Sequence, residues 1–233
     1  MNKTEVLALL NGHQNERGIH HWKRLDPTSG TLKSFGIGLT QLRKLAKQIG
    51  RDHALAAALW NSEYYDAKVI ALLIDDPNTI TQAQAEKQVE ELEGGMLSHV
   101  FSSCDATLAK TPFAFELACK WVKSKDPVRR CCGYGLIYEE SKSKKKETPT
   151  NAVFLEHIHR IGTTFKGEKL SVQGSMGGAL MGIGKRNATL NAAALKVARV
   201  IGPIRFETES DNCEPLDVVK HLTSDALRKK LGV

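Results

Sequence analysis

Phe101, Asp105 and the adjacent pair Arg129 and Arg130 are the residues of this chain whose types and spacing point to chemistry. Phe101 and Asp105 stand four positions apart, so on one helix they share a face, one turn above the other. Arg129 and Arg130 follow Pro127, where a later helix is expected to start. An aromatic ring over a carboxylate, with a guanidinium near a helix start, suits a cationic ligand carried on a phosphate backbone. The same residue types suit an ion pair buried between neighbouring helices, and they leave both readings open.

These residues need helices to position them. The stretch from Met96 to Tyr138 reads as three: the first carries Phe101 and Asp105, the second spans Phe113 to Lys123 as core, and the third starts near Pro127. Residues 2 to 11 read as a short first helix, and residues 12 to 34 as a polar, irregular segment. Trp22 lies in that segment among His20, His21, Lys23 and Arg24. It suits stacking on nucleic acid or packing the segment onto the core. Thr40 reads as the N-cap of a helix with Leu42, Leu45, Ala46 and Ile49 on one face, closed by Gly50. Ala67, Ile70, Ala71 and Ile74 repeat the spacing up to Pro77, and Thr81 caps a further helix to Leu92. Lys142, Lys144, Lys145 and Lys146 crowd a polar loop over 141 to 150, which suits phosphates or plain solvent. Helices follow over Asn151 to Phe165, Leu170 to Gly184, Thr189 to Ile201 and Pro215 to Lys230. The one β-like run, IGPIRFETE, is short and sits beside Gly202 and Pro203.

The expected fold is therefore all-α: a right-handed solenoid of HEAT-like helical repeats, paired at intervals of roughly 35 to 45 residues, with a concave binding face. One domain over residues 1–233 is expected, with an N-terminal helix and irregular segment (1–34), helical repeats (35–201) and a C-terminal cap (202–233).

Bulk composition narrows the function. At 41% hydrophobic and 25% charged, the 233 residues read as an ordinary globular protein able to bury a core. Thirty-three basic against 26 acidic residues give a net charge of +7, so a polyanion is a reasonable partner. The five cysteines are odd in number and form no C-x-x-C pair, which argues against a disulfide framework or a zinc site. Reduced thiols in a cytoplasmic protein are expected. The first residues lack a signal-peptide pattern and no apolar run reaches about 18 residues, so no membrane span is expected. The glycine-rich run GSMGGALMGIGKRN is not a phosphate loop. Counting back from Gly184 and Lys185, the required glycine falls on Ala179, and Arg186 replaces Ser or Thr. Gly174, Gly177, Gly178, Gly182 and Gly184 read instead as close helix packing or room for a ligand backbone. His157 and His159 are two apart and point to different sides of a helix, so no metal is assigned. No cofactor is expected, and no cysteine has a convincing histidine partner in sequence.

Three segments, FGIGLTQLRKLAKQIG with LWNSEYYDAKVIALLIDDP, WVKSKDPVRRCCGYGLIY, and SVQGSMGGALMGIGKRN, together resemble the AlkD-like DNA glycosylases, alkylation-repair proteins built from HEAT-like repeats. The likeness covers about residues 35 to 200. It implies a catalytic aspartate at Asp105 and a phosphate-binding arginine at Arg130, with Arg129 the adjacent alternative. Phe101 takes the place of a tryptophan one turn before the aspartate, and a second family tryptophan falls on Gly178. Trp22 matches an aromatic near the family's N-terminus, and Lys185 and Arg186 are expected to touch DNA. The implied reaction is hydrolysis of the N-glycosidic bond of N3- or N7-alkylpurines in duplex DNA, by a monomer. The alkylated base is already cationic and leaves without a general acid, while a carboxylate stabilises the charge left on the sugar. A non-catalytic protein that binds damaged or branched DNA, or a protein-interaction scaffold, is the alternative.

Overall fold

The computed structural model describes residues 1–24, 31–92, 96–143, 149–205 and 214–233. Among these residues the fold is all-α, and extended pairing is limited to two isolated bridges, Lys33 with Tyr64 and Ile204 with Leu216. Chain contacts divide it into two compact units, residues 1–114 and 115–233.

The first unit holds α1 (Lys3–Gly12), α2 (Glu16–Arg24), α3 (Leu39–Ile49), α4 (His53–Trp60), α5 (Tyr65–Ile74), α6 (Gln82–Glu90) and α7 (Leu97–Ser102). Helix α5 is its centre and packs against α1, α3, α4 and α7. Its sequence, YDAKVIALLI, is apolar on nearly every side, and Ala67, Val69, Ile70, Ala71, Leu72 and Ile74 are all buried. A helix without a polar face finds a minimum only when surrounded. Thr81 caps α6 as expected, its side chain accepting from the Gln84 N–H. Thr40 does not cap α3: the helix starts two residues earlier than such a cap implies, at Leu39, after Gly38.

Residues 16–24 were expected to be irregular and instead form α2. The Asn15 side chain accepts from the Gly18 N–H at 2.9 Å and satisfies a first-turn donor. The apolar face of the helix is only Ile19 and Trp22, both half-buried, among charged and polar residues, too short a stripe for a sequence reading to find. Its position is set by backbone approach: a Cβ on Gly18 would collide with the Gly36 carbonyl, and Gly36 itself has φ +71°. Residues 34 to 37 are held by buried Asp66, at the first turn of α5. Its carboxylate accepts from Phe35 N (2.7 Å), Ile37 N (3.0 Å) and Ser34 Oγ (2.8 Å).

The second unit contains α8 (Ala114–Trp121, starting at the division), α9 (Pro127–Lys142), α10 (Asn151–Thr164), α11 (Leu170–Gly184), α12 (Ala188–Ile201), α13 (Val218–Leu222) and α14 (Asp225–Leu231). Pro127 opens α9 as expected, and the Asp126 carboxylate caps it by accepting from the Val128 and Arg129 N–H groups. Helix α9 lies along α11. Glycines permit that approach: a Cβ on Gly182 would collide with Ser141 Oγ and come within 2.7 Å of Tyr138. Gly177 and Gly184 face Ile204 and Leu222 just as closely, whereas a Cβ on Gly178 would meet nothing within 4 Å. The expected C-terminal helix from Pro215 is two short helices, the first closed by Thr223 and the second opened by Ser224. Of the β-like run, Ile204 pairs with Leu216; its end, with Cys213 and the lysine loop at 144–148, lies outside the described residues.

Candidate functional site

Asp105 is not on a helix with Phe101. Helix α7 ends at Ser102, and the chain then turns through Cys104 (φ +60°) and Asp105 (φ +67°). Two successive non-glycine residues in the left-handed region cost roughly 1–2 kcal/mol each, somewhat less for aspartate. The turn points the Asp105 side chain outward, leaving it 75% exposed, with Arg43 Nη2 3.5 Å from Oδ2. Arg43 Nε also donates to the Cys104 carbonyl at 3.3 Å, and Lys110 Nζ donates to the Asp105 carbonyl at 2.6 Å. Phe101 turns the other way. It belongs with Leu97 and Val100 to the stripe that α7 lays into the core, and it is fully buried. A ring in that position offers no face to a base, which corrects the expected stacked pair.

The same turn brings together a cysteine and a histidine that the sequence did not pair. Cys104 Sγ lies 3.1 Å from His99 Nε2. Burial pushes the Cys104 thiol up, but the hydrogen bond and charge of His99, with Ser103 and Arg43, outweigh it and leave the thiol below its ordinary value. Cys119 and Cys131 behave in the opposite way, with burial pushing both thiols up. Cys119 has a longer histidine contact, 3.9 Å to His157 Nε2, and burial pushes that imidazole down.

The cations expected to grip DNA are mostly engaged within the second unit. Arg130 donates from Nη2 (2.7 Å) and Nε (3.0 Å) to Glu168 Oε2, and from Nη1 to the carbonyls of Ser124 and Lys125. With 16% of the arginine and 12% of the glutamate side chain exposed, this is a largely shielded ion pair rather than an open phosphate site. Arg129 lies 3.9 Å from Asp126 and is equally shielded. Arg186 Nη1 donates to the Ser141 and Ser143 carbonyls at the end of α9, and its guanidinium covers the Phe154 ring at 4.7 Å. Lys185 differs. Its side chain has no hydrogen bond or ion pair among the described residues, and burial and the nearby Lys230 push its pKa down.

Trp22 belongs to α2 rather than to a loop. Its Nε1 donates to the Leu32 carbonyl at 3.0 Å, and its ring lies 4.6 Å from that of Tyr65. It helps to line an open cavity of about 430 Å³ with Lys23, Lys33, Phe35 and Tyr64. Sequence reasoning missed Arg43 and His99. Arg43 is 61 positions from Cys104 and carries no local signal. His99 is five positions before Cys104, outside the spacings that face each other on a helix, and meets it only because the chain turns after Ser102. Among the described residues, no group of three or more His, Cys, Asp or Glu side chains is arranged to hold a metal ion, and no helix is long and apolar enough to cross a membrane.

The helical fold has counterparts among known proteins. The chain belongs to the DNA alkylation repair enzyme family, whose model matches residues 6–205. An uncharacterized protein of Listeria innocua, Lin0241, is 23% identical over 201 residues, covering 82% of this chain and 83% of that protein. A second, Lmo0209 of Listeria monocytogenes, is 25% identical over 210 residues, covering 86% and 87%. A solved structure from "a new family of proteins related to the HEAT-like repeat DNA glycosylases with affinity for branched DNA structures" aligns with a TM-score of 0.82, covering 100% of this chain and 97% of the other. At 20% identity that likeness establishes the fold, a HEAT-like repeat architecture.

Proposed function

We propose that the protein binds damaged or branched DNA as a cytoplasmic monomer and does not excise the base. The observation that carries this reading is the state of the three residues expected to act on an alkylated nucleotide. Phe101 is fully buried and Arg130 is spent on Glu168 and two carbonyls, so Asp105 alone remains accessible. A carboxylate with no aromatic face beside it, and whose one neighbouring guanidinium, Arg43, is already paired with it, lacks the means to hold a cationic purine over its own phosphate. Lys185, uncommitted and beside Lys230, supplies backbone charge instead. Lys185→Ala should weaken binding at every sequence and lower the salt slope by about one.

A second reading, excision of N3- or N7-alkylpurines, is favoured by the exposure of Asp105 on its left-handed turn. Strained backbone gathers where function requires it, and an exposed carboxylate can stabilise the charge that develops on the sugar. One experiment separates the two readings. Wild type and Asp105→Asn are incubated with methylated duplex DNA, and free 7-methylguanine and 3-methyladenine are measured. Binding to duplex and four-way-junction DNA is followed in parallel. The binding reading expects no released base and salt-sensitive affinity that is greater for the junction. Base release by wild type and not by Asp105→Asn would overturn it in favour of excision.

A further inference from the structure

We propose that Cys104 is a nucleophilic thiol, activated by His99 and oriented through Ser103, that forms covalent adducts with small uncharged carbon electrophiles. The inference concerns the turn after α7 and is independent of DNA binding.

Three contacts define the arrangement. His99 Nε2 is 3.1 Å from Cys104 Sγ, and His99 Nδ1 is 3.3 Å from Ser103 Oγ. The Ser103 hydroxyl has one proton, and of its two acceptors the His99 carbonyl oxygen at 2.6 Å takes it in preference to the weaker Cys104 Sγ at 3.7 Å. Its oxygen therefore faces Nδ1 with a lone pair, and Nδ1 keeps its hydrogen. That tautomer leaves the Nε2 lone pair turned toward sulfur, where it accepts the thiol proton. The chain holds this geometry firmly at one end and leaves it open at the other. Ser103 is 2% exposed, while His99 is exposed and Cys104 half-buried, so a small reagent reaches the sulfur.

The charged and titratable groups around the sulfur agree with this role. Arg43, on α3, favours the thiolate. Tyr65, on α5, is kept neutral because burial pushes it up to about 12. Asp105, next in the chain, has its exposed carboxylate paired with Arg43. In the reaction the sulfur–carbon bond forms as the bond from carbon to the leaving group breaks. The leaving group departs with the bonding pair, and the thiol proton passes to His99 Nε2. Ser103 acts as a positioning residue, since it touches the imidazole and not the electrophile.

The test uses the full chain and iodoacetamide, with the modified cysteines quantified by mass spectrometry. Cys119 and Cys131 serve as internal references, because burial raises both thiols. Cys104 should be labelled about tenfold faster than either at pH 7, with a rate that levels off at lower pH. His99→Gln should remove the advantage and the early plateau. Ser103→Ala should move the plateau toward higher pH, and Ser103→Thr should restore it. In every variant the reference cysteines should keep their wild-type rates, which certifies the fold. Equal rates for Cys104 and the references in the wild type overturn the proposal, whatever the variants do. So does an unchanged Cys104 profile in His99→Gln.

Discussion

In the second unit Arg130 meets Glu168 at 2.7 Å, with 16% and 12% of the side chains exposed; in the first, Arg43 meets Asp105 at 3.5 Å, with 36% and 75% exposed. The residue types nearly match and the physical roles differ. Arg130 has its Nε, Nη1 and Nη2 donors engaged, two on the glutamate and one on the end of the preceding turn, so it ties residues 124 and 125 to residue 168. Arg43 spends one contact on a carbonyl and one on a carboxylate that water already solvates. A buried pair is costly to break and a surface pair is worth little. The first is therefore a fixture of the fold, and the second is available to a ligand.

Breaking the pairs one side at a time tests that contrast. The largest effect is expected for Arg130→Ala, which leaves Glu168 shielded and uncompensated and should cost about 3–5 kcal/mol in denaturant unfolding. A loss below about 1 kcal/mol would show the pair to be as loosely held as its counterpart. Asp105→Gly should act in the opposite direction. Glycine adopts φ +67° without penalty, so the variant should gain about 1 kcal/mol while losing the exposed carboxylate. A destabilised variant would mean that Asp105 contributes contacts beyond its pairing with Arg43. The smallest effect is expected for Arg43→Ala, with unfolding free energy within about 0.5 kcal/mol of wild type. Its iodoacetamide labelling of Cys104 should slow, because a charge favouring the thiolate is gone.

The sequence was informative where periodicity and punctuation carry structure. The α3, α5, α6, α11 and α12 segments were legible from apolar spacing and from Gly50, Pro77 and Thr81, and the HEAT-like class followed from their lengths. Helix α2 was not legible, because its apolar stripe is only Ile19 and Trp22 and backbone contact between Gly18 and Gly36 helps to place it. The site was legible only as a set of residue types. A spacing of four suggested that Phe101 and Asp105 share a helix face, but the helix ends between them and sends one inward and the other outward. Arg130 was read correctly at a helix start, yet only the fold reveals that Glu168, 38 positions later, reaches it first.

Asp66 has a consequence for the order in which the molecule forms. The backbone of residues 35 and 37 gives two of its N–H groups to that carboxylate, and Lys33 exchanges hydrogen bonds with Glu63 and Tyr65. Every partner lies about thirty positions downstream, and backbone donors shut away from water need partners. As the chain is synthesised from its N-terminus, residues 32 and 35 find early partners only in Trp22 and Asn15. The hydrogen bonds of residues 33 to 37 with residues 63 to 66 must therefore wait until α5 has been made.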